Sequence, residues 1–105
     1  MKVLLISNKE VVQSISFYLQ LRWPQAVILS TAEGWKGIEL VETEAPDLVM
    51  ADFSLPNMYG LDLVSKVREF SDVPLIILMG QENEMDRARV LEVGADDYIT
   101  KPFDA

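Results

Sequence analysis

The sequence has no cysteine and no histidine. The first absence excludes disulfide scaffolds, thiolate zinc sites and thiol nucleophiles. The second removes Ser-His triads, histidine zinc sites and a histidine general base. Basic residues are scarce as well, 9 against 17 acidic ones, for a net charge of −8. A nucleic-acid surface needs clustered Lys and Arg, so this segment is not expected to contact nucleic acid directly. Long apolar runs are also missing. Val3-Leu4-Leu5-Ile6 ends at Ser7-Asn8, far short of a signal-peptide core or of the roughly 20 residues that cross a bilayer. A cytoplasmic protein without membrane contact is the expectation.

What is present suits one domain. The chain has 105 residues, 50% of them hydrophobic, and domains cluster at about 100–150 residues. A chain of this size and apolar content can bury roughly 65% of its unfolded surface. Disordered chains pair high charge with low hydrophobicity, which is not the balance seen.

Five short apolar runs punctuate the sequence: Val3–Ile6, Ala26–Leu29, Leu48–Ala51, Leu75–Met79 and Tyr98–Ile99. The first four read as strands buried on both faces, the form parallel strands take. Between them the apolar period is helical. Val11/Val12, Ile15, Tyr18/Leu19 and Arg22 define a first helix stopped by Pro24. Thr31 is placed to cap a second, which carries Ile38 and Val41 and ends near Ala45-Pro46. Leu61, Val64, Val67/Arg68 and Phe70 define a third. Met85, Ala88, Leu91 and Glu92 define a fourth, stopped at Gly94, where a left-handed cap suits glycine. The alternation predicts an α/β fold with a doubly wound five-stranded parallel sheet. The last strand, at Asp96–Thr100, leaves Lys101–Ala105 too short for a covering helix. A domain spanning 1–105 is therefore expected, either cut short before its final helix or covered there by a partner.

In such a sheet, chemistry collects at the carboxyl ends of the strands. Those ends are Ser7-Asn8, Asp52, Met79-Gly80 and Lys101. Asp52 follows Leu48–Ala51 directly, so its carboxylate is expected at the rim of the crevice, and Lys101 is a natural partner for it.

Two longer stretches now carry a resemblance. Pro46-Asp47-Leu48-Val49-Met50-Ala51-Asp52-Phe53-Ser54-Leu55-Pro56-Asn57-Met58-Tyr59-Gly60 resembles the phosphoacceptor segment of response-regulator receiver domains. Gly94-Ala95-Asp96-Asp97-Tyr98-Ile99-Thr100-Lys101-Pro102-Phe103 is similar to the closing strand of the same family. The match runs through five strands and four helices, nearly the whole chain. It implies a flavodoxin-like fold of strand order 2-1-3-4-5 and a module in two-component phosphorelay signalling. Asp52 would take a phosphoryl group from a sensor histidine kinase. Mg²⁺ would be held by Asp52, by acids after the first strand (the place of Asn8) and by the Ser54 carbonyl. Lys101 would contact the phosphoryl oxygens. The position of Met79, with the aromatic Tyr98, would carry the switch, and the Lys101-Pro102 bond would be cis. The resemblance further implies a homodimer through the fourth-helix and fifth-strand face, Met85–Val93 with Asp96–Ile99.

The chain departs from the family pattern twice. Ser7-Asn8 stands where the acidic pair belongs, and Met79 stands where a Thr or Ser binds phosphate. A carboxylate about 4 Å from a divalent ion is worth of order 8 kcal/mol gross at a dielectric near 20, and if about a fifth survives desolvation, each loss costs about tenfold in affinity. A thioether donates nothing to phosphate. Weak or absent phosphorylation of Asp52 is therefore expected, with Mg²⁺ binding weakened. Plainer readings stand beside these roles: Asn8 as a helix cap, Met79 as core filler, Lys101 as a counter-ion and Tyr98 as a packed aromatic. The acids Glu82, Glu84 and Asp86 read as solvated faces and caps. Trp23 and Trp35 read as candidate interface aromatics.

Two other classes remain open. A conventionally phosphorylated, Mg²⁺-dependent receiver controlling a C-terminal DNA-binding domain needs Asn8 and water to replace the acids. A phosphohydrolase would want a second acid two residues after Asp52, where Ser54 stands. A flavin protein would want a glycine-rich phosphate loop after the first strand, where Ser7-Asn8-Lys9-Glu10 has no glycine. The expectation is a signalling module rather than an enzyme.

Overall fold

Val3-Leu4-Leu5-Ile6 has no polar side chain on either face, so it can rest only between two apolar layers. In the computed structural model, which describes residues 1–101, it lies in β1 (Lys2–Ile6). The chain continues as α1 (Lys9–Arg22), β2 (Val27–Thr31), α2 (Gly34–Glu44) and β3 (Leu48–Asp52). A short hairpin follows, β4 (Ser54–Leu55) with β5 (Met58–Tyr59). After it come α3 (Gly60–Arg68), β6 (Leu75–Met79), α4 (Glu84–Glu92) and β7 (Asp97–Thr100). Five strands make one parallel sheet in the order β2-β1-β3-β6-β7. With the hairpin set aside, that is the order the resemblance implied. The hairpin itself was not anticipated, although Pro56-Asn57 between apolar neighbours is a turn signal.

The strand side chains divide between two cores. Leu4, Ile6, Val49, Ala51, Ile77 and Met79 face one layer, covered by α2, α3 and α4. Val3, Leu5, Met50 and Leu78 face the other, where Val11, Val12, Ile15 and Leu19 of α1 pack on them. Each fully buried side chain of this kind contributes about 1.5–3 kcal/mol.

Burial on both faces holds for β1, β3 and β6 but not for the second run. β2 is an edge strand with Val27 exposed. It also runs later than its apolar stretch, because β1 pairs Leu5 with Ser30 and Ile6 with Thr31. Partner length, rather than hydrophobicity, sets its end. β7 is the other edge. Ile99 pairs with Leu78 and so shares its α1-side face, yet it stays 39% exposed. Among the described residues, α1 is the sole helix on that side.

The helix ends follow cap chemistry. Asn8 caps α1, its Oδ1 accepting the Val11 amide at 2.9 Å, as its plainer reading had it. Thr31 does not cap α2. It closes β2, and its hydroxyl accepts the Glu33 amide at 3.2 Å, one turn before the helix proper. α3 stops at Arg68, short of Phe70. α4 turns a different face inward from the one its period suggested. Met85 is 68% and Leu91 42% exposed, while Val90 is fully buried. Gly94 follows with φ +127°, a backbone that L side chains rarely adopt.

Candidate functional site

The buried run of β3 delivers Asp52 to the carboxyl edge of the sheet, and β1 delivers Ser7 beside it. Both are enclosed, Asp52 at 3% and Ser7 at 2% exposure. The Ser7 hydroxyl donates to Asp52 Oδ2. The Ser7 amide donates to the Thr31 carbonyl at 3.0 Å, which seats the residue between the ends of β1 and β2.

Lys101 arrives from the end of β7. Its amide donates to the Met79 carbonyl at 2.6 Å, continuing the ladder one residue past the strand. That anchor brings its ammonium onto Asp52 Oδ1 as an ion pair. Among the described residues, Oδ1 accepts no other hydrogen bond. The Lys–Asp pair expected from strand-end placement is therefore present. A buried carboxylate without a partner would be costly, and this one has both a charge and a hydroxyl donor.

The other predicted residues lie at varying distances from this pair. Asn8 and Ser54 line a cavity of about 340 Å³ together with Asp52, Ala32, Leu55 and Pro56. Asn8 has already committed its side-chain oxygen to the α1 cap. Met79 is fully buried in the core beneath α2–α4, and Tyr98 packs half-buried against the same cluster. The Lys101-Pro102 bond and Phe103 lie outside the described residues.

One residue near the site was misjudged from sequence. Glu82 is not a freely solvated acid: its Oε1 accepts the Gly80 amide, and the Ser54 hydroxyl donates to Oε2 at 3.5 Å. It links the β6–α4 loop to the hairpin loop after Asp52. Only the Gly80-Gln81-Glu82 spacing hinted at the local half of that contact. Among the described residues, no group of three or more His, Cys, Asp or Glu side chains is placed to hold a metal ion. Trp35 is exposed on α2 with the Lys66 ammonium 5.4 Å from its ring centre, and Trp23 stacks under Arg22 at 5.3 Å.

The fold and site define a doubly wound α/β domain with an aspartate and a lysine converging at the carboxyl edge of its parallel sheet. The chain matches the family model described as response regulator receiver domain over residues 3–105. It belongs to the response-regulator receiver domain family of two-component signalling. It is similar to the BeF3-activated N-terminal receiver domain of Klebsiella pneumoniae RstA, with 28% identity and a TM-score of 0.89, over 99% of this chain and 88% of that one. A response regulator from Chloroflexus aurantiacus gives 25% identity and a TM-score of 0.82, over 98% and 86% of the two chains. A two-component response regulator from Clostridium difficile, 22% identical, shares the fold at a TM-score of 0.91, over 99% and 85%. Receiver domains are signalling modules that typically bind Mg²⁺ at their phosphorylation site and meet histidine kinases or other signalling partners. No described helix is long and apolar enough to cross a membrane.

Proposed function

We propose that this chain is a divergent receiver that works as a signalling or protein-interaction module, with Asp52 phosphorylated weakly or not at all. The observation that carries the reading is the closed set of contacts on Asp52. Its two oxygens are taken by Ser7 and Lys101, and neither residue after β1 brings a carboxylate. A magnesium ion asks for several acceptor oxygens, whereas the two side chains in contact with Asp52 are donors. Met79, buried and apolar, adds no donor for a phosphoryl oxygen. No enzymatic turnover is assigned to this site.

The partner surface fits the same reading. Met85 and Leu91 put two exposed apolar side chains on α4, which supports a homodimer through α4 and β7. A sensor histidine kinase is the donor if Asp52 is used. The excess negative charge leaves direct nucleic-acid contact to another domain, and the cytoplasm is the location such signalling requires.

The test is incubation with a small acyl phosphodonor and Mg²⁺, read by intact mass. Little or no labelling is expected. Stable labelling of the wild type that disappears in Asp52→Ala would instead establish the conventional, Mg²⁺-dependent receiver.

A further inference from the structure

Both side chains that contact Asp52 donate to it. Ser7 offers a hydroxyl and Lys101 an ammonium. The carboxamide oxygen of Asn8 is already engaged by the Val11 amide at the start of α1. A divalent cation needs the opposite, several oxygens with free lone pairs. The donor shell therefore does not fit the ion that the family binds at this place.

Ser7 is the residue that closes the shell. It is 2% exposed and anchored by its amide to the end of β2, with its hydroxyl on Asp52 Oδ2. We propose that Ser7 is a positioning residue that substitutes for the divalent cation: its hydroxyl holds Oδ2 while Lys101 neutralises Oδ1, and the pocket keeps one conformation independent of metal. The inference rests on the reading of Asp52 as the acceptor-position residue and names what maintains the site without an ion. Lys101 supplies the charge, and Ser7 supplies the geometry. Replacing the hydroxyl by a carboxylate reverses the logic. Two carboxylates would then face each other in a dry site, a conflict that a cation relieves.

The test is thermal unfolding of the 105-residue chain in EDTA and in millimolar MgCl₂, with Mn²⁺ binding followed by electron paramagnetic resonance. The wild-type midpoint is expected to be the same in both buffers. Ser7→Asp should melt lower in EDTA, recover with Mg²⁺, and bind Mn²⁺ at least about tenfold more tightly than wild type. Should Ser7→Asp fail to fold without metal, Ser7→Ala and Ser7→Thr decide the matter. Ser7→Ala frees Oδ2 and should acquire a Mg²⁺-dependent midpoint, while Ser7→Thr keeps the donor and should remain insensitive.

A wild-type midpoint that rises with Mg²⁺ as much as that of Ser7→Asp overturns the proposal. So does a Ser7→Ala variant that matches wild type in both buffers. The two readings fail separately. Metal-independent labelling of Asp52 would sink the proposed function but leave Ser7 its role. A metal-responsive wild type that resists labelling would do the reverse.

Discussion

Arg68 and Asp96 meet at 3.0 Å, the guanidinium of α3 against the carboxylate that precedes β7. The same guanidinium donates to the carbonyls of Gly94 at 2.8 Å, Ser71 at 3.1 Å and Val73 at 2.7 Å. Asp96 Oδ2 also accepts the Leu75 amide at 2.8 Å. One side chain thus joins the end of α3, the start of β6 and the turn into β7.

Loss of that clamp should be felt in stability. Arg68→Ala leaves three half-buried carbonyls without their donor and is expected to cost about 2–3 kcal/mol by urea denaturation. The ion pair itself contributes little because Asp96 is largely exposed. Asp96→Asn, which keeps an acceptor for Leu75, should cost less than about 1 kcal/mol.

Gly60 opens α3 with no room for a side chain. Its amide donates to the Phe53 carbonyl at 2.5 Å, and a Cβ would lie 2.8 Å from the Phe53 Cα. Backbone cannot give way as a flexible side chain can. Gly60→Ala should therefore destabilise by about 1–3 kcal/mol despite the better helix propensity of alanine, as read from the denaturant midpoint.

Asp52 and Lys101 should behave as a coupled pair. Lys101→Met leaves the buried carboxylate with Ser7 alone, and Asp52→Asn removes the charge that Lys101 answers. The double variant should lose less than the two singles added, with a coupling of about 1–3 kcal/mol in a double-mutant cycle. High salt should scarcely change that coupling. The exposed pairs Lys2–Glu44 and Lys36–Glu39 should contribute under about 0.5 kcal/mol each and fade as salt rises.

The face of α4 can be checked by contrast. Val90→Ala removes fully buried methyl groups and should cost about 1–3 kcal/mol. Met85→Lys with Leu91→Glu should leave the melting temperature within a few degrees of wild type. Analytical ultracentrifugation of that double variant should show only monomer. A dimer that persists would move the interface away from α4.

Much of the architecture was legible in the chain because it rests on local pattern. Fully apolar runs such as Val3–Ile6 and Leu75–Met79 have no alternative to the middle of a sheet, and Pro24 and Gly94 punctuate the helices where expected. Pattern failed where a helix or strand lies at an edge. α4 packs against α3 and the edge strand β7, so Val90 is its one buried residue and its Met85/Ala88/Leu91 period points outward. β2 took its length from β1, which no property of its own residues announces.

The candidate site divides in the same way. That Asp52 and Lys101 would converge follows from strand-end position, since parallel neighbours bring their carboxyl ends to one edge. Residue type alone established the lack of an acidic pair and of a phosphate-binding hydroxyl. Which of Ser7 and Asn8 turns onto Asp52 was beyond local reading. Ser7 extends the buried run of β1 by one residue, whereas Asn8 is recruited by the Val11 amide in the first turn of α1. The Glu82 link to Ser54, 28 residues away, and the reach of Arg68 to Gly94 and Asp96 were equally hidden. Hydrophobic period and backbone stereochemistry act over a few residues and show directly in the chain. A hydrogen bond between distant side chains depends on angstrom-scale positions that exist only once the layers have packed.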